Sequence, residues 1–72
     1  MNINAIKNNI NSQKGKIIKF KYNGARNQIE EFSGTIENTY NAIFTIRLKD
    51  AAKIKTFTYS DVLTESLELF IE

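Results

Sequence analysis

From Lys16 onward the apolar side chains fall on every second residue, and this period of two decides what the chain can fold into. Successive side chains of a strand point to opposite faces, so strict alternation marks strands with one buried face. Ile18, Phe20 and Tyr22 share a face in a first strand, with Ile17, Lys19 and Lys21 on the other. Phe44, Ile46 and Leu48 face inward in a third strand, with Thr45, Arg47 and Lys49 outward. Phe57 stands in a fourth on the parity of Lys55 and Tyr59, and a last strand from Glu65 to Ile71 alternates through Leu67, Leu69 and Ile71. The second strand runs from about Gln28 to Tyr40 with Phe32, Gly34 and Ile36 on one face. Ile29 is out of step with them, which predicts a bulge near Glu30 or Glu31. Gly34 in mid-strand predicts a sharp bend, where a side chain would collide with a neighbouring backbone.

The interruptions are as informative as the pattern. Asn23-Gly24 reads as a tight hairpin turn, because both residues accept positive φ. Gly24 and Gly34 are therefore structural. Tyr40-Asn41-Ala42 is a short connection, and Asp50-Ala51-Ala52-Lys53 is a polar turn. Ser60-Asp61-Val62-Leu63 breaks the alternation and has room for one 3₁₀ turn, which Asp61 caps by accepting a backbone N–H. Upstream, Ile3, Ile6 and Ile10 form one stripe of a short helix over residues 2–13. Asn2 caps its start and Gly15 closes its end. A helix of that length does not stand alone in water, so the stripe must dock, with the mouth of the sheet as its seat.

A chain of 72 residues has room for one domain, 1–72. Five short strands cannot bury a core as a flat sheet, so residues 16–71 must curl into a small barrel. The architecture is all-β with a short N-terminal helix. A 3₁₀ turn before the final strand is a feature of SH3-like and Sm-like five-stranded barrels. Phe20, Ile36, Phe44, Ile46, Phe57, Leu67 and Leu69 are the predicted core.

There is no cysteine and no histidine, which removes disulfides, thiolate metal sites and His-based nucleophilic triads. Asp61 and Glu65 are four residues apart, but with no third acid or glycine-rich loop nearby they read as structural and not catalytic. The expectation is a protein that is not an enzyme and takes no metal or cofactor. No run approaches the roughly 18 apolar residues that span a bilayer. The N-terminus lacks a continuous apolar signal segment, so the reading is soluble and cytoplasmic.

The net charge of +2 conceals an asymmetry: +6 over residues 1–26 and −4 over residues 27–72. Lys16, Lys19, Lys21 and Arg26 could line a basic strip along the first strand and its hairpin, with Tyr22 and Tyr40 as stacking surfaces for single-stranded nucleic acid. The plainer alternative is a solvated outer face, and Tyr22 shares the parity of core Phe20. Tyr40, Tyr59 and Phe70, if exposed together, make an apolar patch of the kind that marks a protein interface. Their other reading is that they cover the barrel ends. A barrel of this size leaves an edge strand unpaired, and the chain has no proline to block it. A homodimer through an edge strand or the helix face is the expected assembly.

Gly34-Thr35-Ile36-Glu37-Asn38-Thr39-Tyr40, followed by Phe44, and Thr58-Tyr59-Ser60-Asp61-Val62-Leu63-Thr64-Glu65 resemble the Veg family of small bacterial proteins. That family shows Gly-x-Leu-x-x-x-Tyr-Pro-x-x-Phe and then Ser-Tyr-x-Asp-Val-Leu-Thr-Glu. Asn23-Gly24-Ala25-Arg26 is similar to its Asn-Gly-Gly-Arg hairpin. The resemblance covers roughly residues 3 to 71. It implies a cytoplasmic, non-enzymatic, SH3-like protein linked to transcriptional control of biofilm matrix genes through antagonism of a repressor protein. Ala25 replaces the family's second glycine, Asn27 and Gln28 replace basic residues, and Asn41 replaces a proline. The hairpin is thus less basic than in family members, which favours a protein partner over nucleic acid.

Overall fold

In a computed structural model of the protein, residues 2–50 and 52–71 are described. Met1 and Glu72, the bounds of the predicted domain, and Ala51, within the predicted polar turn, lie outside the described residues. Helix α1 (Ile3–Ser12) leads into β1 (Ile17–Asn23), a 3₁₀ turn (Ala25–Asn27) and β2 (Ile29–Thr39). Strands β3 (Ile43–Leu48) and β4 (Ile54–Thr58), the one-turn helix α2 (Tyr59–Leu63) and β5 (Leu67–Phe70) complete it. The strands form one antiparallel sheet in the order β4-β3-β2-β1-β5.

The sheet curls as the small-barrel reading requires. In a flat sheet β1 and β4 would lie three strand spacings apart, about 14 Å. Yet the rings of Tyr22 on β1 and Phe57 on β4 have centroids 5.4 Å apart. Phe57 also meets Phe32 of β2 at 6.0 Å and Phe44 of β3 at 6.4 Å. These aromatics join four strands through the interior. Among the described residues no ladder joins β4 to β5, so the SH3-like barrel is open along that seam.

Gly34 makes the curl possible. A Cβ there would stand 2.6 Å from the Arg47 carbonyl oxygen and 2.7 Å from Ile46 Cγ2 on β3, so β2 and β3 close together only because the side chain is absent. The β2–β3 register also shifts between Ile36 and Asn38. This is the bulge of β2, and it is not at Glu30 or Glu31. The β1–β2 register runs unbroken from Ile17↔Thr35 to Asn23↔Ile29, and Ile29 simply projects into solvent.

The core is Ile6 and Ile10 of α1 with Ile18, Phe20, Ile36, Phe44, Ile46, Phe57, Tyr59 and Leu67. Of the predicted set only Leu69 is partly buried, packed against this cluster from the side. Ile71 lies beyond β5 and is exposed, so the alternation stops one turn of the pleat earlier than the sequence pattern extends. Helix α1 is capped as expected, with Asn2 Oδ1 accepting from the Ala5 amide at 2.9 Å, and Gly15 takes φ +85° just after it. It seats on α2 and the end of β2, where Thr39 Oγ1 donates to Asn11 Oδ1 at 2.7 Å.

Two turns differ from expectation. Gly24 has φ −78°, and the left-handed residues of the β1–β2 connection are Arg26 and Asn27, both at φ 60°. The loop is longer than a two-residue hairpin. Gly24 instead sits in a tight place: a Cβ would lie 3.1 Å from the Gln28 carbonyl oxygen, which accepts the Gly24 amide at 2.7 Å. The segment before β5 is an α-turn, not 3₁₀, and its cap is Thr58. The Thr58 hydroxyl accepts from the Asp61 amide at 3.1 Å while the Asp61 carboxylate accepts from the Thr58 amide at 3.0 Å. Asp61 therefore accepts a backbone N–H as predicted, but as the second half of a capping box. Thr58→Ala removes half of it and should cost about 0.5–2 kcal/mol, read as a lower chemical-denaturation midpoint with an unchanged slope. Thr58→Ser should restore most of the loss.

Candidate functional site

The outer face of β1 is set between two neighbours. Lys21 pairs with Glu31 on β2 and with Glu68 on β5, so a carboxylate flanks it on each side. Lys19 pairs with Ser33 and Phe70, and Ile17 pairs with Thr35. Cross-strand neighbours sit about 4.5–5.5 Å apart at Cβ, close enough for these partners to set the local field. The face therefore changes character along the strand: acid-flanked at Lys21, cationic and apolar at Lys19 and Ile17. Further along the same face the Arg47 guanidinium holds the Glu37 carboxylate in two hydrogen bonds, one through Nη2 at 2.9 Å. That contact lowers the Glu37 pKa below its ordinary range and raises that of Arg47. Both groups are thereby satisfied within the fold.

A groove of about 360 Å³ opens where the outer face of β1 meets the end of β5. Its apolar wall is Ile17, Phe70 and Ile71, which are 65%, 47% and 45% exposed. Lys16 and Lys19 supply its charge, and no acid is among the described lining residues. Gln13, at the C-terminal end of α1, contributes a buried Oε1 with no hydrogen-bond partner. A second opening of about 310 Å³, lined by Glu30, Glu31, Phe32 and Lys55, is occupied by an internal contact. There Lys55 Nζ donates to Glu30 at 2.8 Å and lies 5.3 Å over the Phe32 ring.

The predicted basic strip is divided by the structure. Lys16 and Lys19 share the groove, Lys21 sits between two acids, and Arg26 lies exposed in the β1–β2 turn. The predicted apolar patch is divided too. Tyr59 is 2% exposed and its hydroxyl donates to the Tyr40 carbonyl at 2.9 Å. Burial pushes its phenol above the usual tyrosine range. It is a core residue and offers no ring to a partner, because the α-turn that begins at Tyr59 directs it onto Phe44, 5.4 Å away between ring centroids. Tyr40 is 54% exposed, on the β2–β3 connection, and Phe70 lies in the groove. Tyr22 is partly buried against Phe57, as its parity indicated.

Ile17, Ile71 and Gln13 were not singled out from the sequence. Ile17 carried a usable signal: it is an isoleucine on the parity of Lys19 and Lys21, the face that water covers. Phe70 is likewise off the parity of Leu67 and Leu69. Gln13 carried none, since its burial depends on how α1 turns into β1. Among the described residues no group of three Asp or Glu is placed to hold a metal, and no helix is long and apolar enough to cross a membrane.

The fold and groove define a small SH3-like β-module with a cationic, half-apolar recess. The sequence matches the family described as "Biofilm formation stimulator VEG" over residues 1–70, and the chain belongs to that family. A search of curated proteins finds no match.

Proposed function

We propose that the protein is a cytoplasmic, non-enzymatic protein–protein interaction module that modulates a transcriptional regulator of biofilm matrix genes. Membership of a family described as biofilm formation stimulators gives the physiological direction. The observation that supports a protein partner over nucleic acid is the pairing of Lys21 with Glu31 and Glu68. It leaves Lys16 and Lys19 as a short cationic pair beside exposed isoleucine and phenylalanine. Protein interfaces use that mixture of apolar anchor and charged rim, whereas a phosphate-tracking groove needs a longer row of cations.

The test pairs two measurements. Purified protein at physiological salt should give no mobility shift with single- or double-stranded DNA or with RNA. Expression of the protein should raise a matrix-gene reporter only in cells that retain the repressor. Salt-sensitive retention of nucleic acid at physiological ionic strength, with a reporter response independent of the repressor, would replace this reading with the nucleic-acid one.

A further inference from the structure

We infer that the groove between β1 and the end of β5 receives a segment of a partner protein in which an apolar side chain is flanked by carboxylates. The inference rests on the partner-binding reading and adds the face and the chemistry of the partner. Two features of the groove converge on this ligand. Ile17, Phe70 and Ile71 present adjacent apolar surface, and Ile17 and Phe70 project beside Lys19 on the outer faces of β1 and β5. Lys16 and Lys19 flank that surface with no acid among the described lining residues, a local field that favours an anion. The volume is at the small end of the usual ligand-pocket range of about 300–1,000 Å³, enough for one or two side chains and too small for a folded element.

The other occupants fit less well. A second copy joined about a two-fold axis would place the same patch on itself, bringing Lys16 and Lys19 against Lys16 and Lys19. A nucleic-acid strand could stack on Phe70, but the next cation along β1, Lys21, already has carboxylates on both sides.

The probe is a nine-residue peptide, acetylated and amidated, with a central leucine and two glutamates on either side, titrated into ¹⁵N-labelled full-length protein. Amide shifts should cluster at residues 13–19, 33 and 70–71. The affinity should fall at least tenfold with Ile17→Ser and at least tenfold with Lys16→Glu combined with Lys19→Glu. These are exposed positions, and an unchanged spectrum elsewhere confirms that each variant is folded. A peptide with lysines in place of the glutamates should not bind, and one with serine in place of the leucine should bind at least tenfold more weakly. Absence of any shift, or shifts centred on the β4 edge, overturns the inference. So do groove shifts that appear on raising the protein concentration without peptide, which point to a second copy. Groove shifts with an oligothymidine of the same length but not with the peptide overturn it in favour of nucleic acid. In cells the two levels separate. If wild type and the Lys16→Glu, Lys19→Glu variant raise the repressor-dependent reporter equally, the groove assignment fails and the partner reading stands. If wild type itself gives no repressor-dependent response, the partner reading fails.

Discussion

Phe44→Ala should leave the protein largely or marginally unfolded at 25 °C, with a melting temperature far below that of wild type. Phe44 is completely buried at the centre of the ring network, with Tyr59 at 5.4 Å and Phe57 at 6.4 Å between centroids. Removing a buried phenylalanine costs about 3–5 kcal/mol, because the transfer free energy is lost and a cavity remains. A domain of 72 residues has about 4–11 kcal/mol in total. The substitution thus consumes roughly a quarter to a half of the stability at the upper limit and three quarters or more at the lower. Phe44→Leu retains most of the volume and should lose roughly half as much. Far- and near-ultraviolet circular dichroism through a thermal melt is the measurement. A Phe44→Ala protein that melts with wild type would show that the interior is not built around this ring.

Gly34→Ala is the second large effect, and its sign is opposite to the usual expectation for glycine in a strand. Replacing a mid-strand glycine with alanine ordinarily stabilises by about 0.5–1 kcal/mol, through lower entropy of the unfolded chain. Here the new Cβ meets the Arg47 carbonyl oxygen at 2.6 Å, and a backbone atom in a paired strand cannot step aside without breaking the ladder. The cost should be about 1–3 kcal/mol or more. Gly15→Ala is the control: nothing lies within 4 Å of its added Cβ, so its penalty comes from φ +85° alone. Denaturant titration of both variants should rank Gly34→Ala as the more damaging. The reverse order would show that β2 and β3 do not approach this closely at position 34.

Much of this architecture is visible in the alternation itself. Phe20, Phe44, Ile46 and Leu67 lie where a period of two places them, because a strand with one wet face leaves little freedom about which side goes inward. Gly34 is equally legible, since a glycine in the middle of a good strand needs a steric reason. The failures arise where a local pattern competes with tertiary geometry. Ile29 looked like a core residue needing a bulge, but β2 extends past β3 at that end and nothing is there to cover it. Asn23-Gly24 is a strong two-residue turn signal, yet the chain runs on to Arg26 and Asn27 before reversing. Tyr59 could not be placed from parity, because the strand ends at Thr58 and the helical turn resets which way the next side chain points.

The groove was half legible. Lys16, Lys19 and Phe70 were each candidates, but for two separate surfaces. Only the β1–β5 register, which sets Lys19 beside Phe70, shows that they belong to one. Sequence spacing carries no trace of a pairing between residues this far apart.

That pairing ties the recess to the docking of a single strand. One wall comes from residues 13–19 and the other from residues 70–71, so the two walls meet only when β5 has paired with β1. A nascent or clipped chain that lacks β5 has the lysines but no phenylalanine beside them, and therefore presents no recess at all. A partner that requires both walls would therefore engage only a molecule in which β5 has docked on β1.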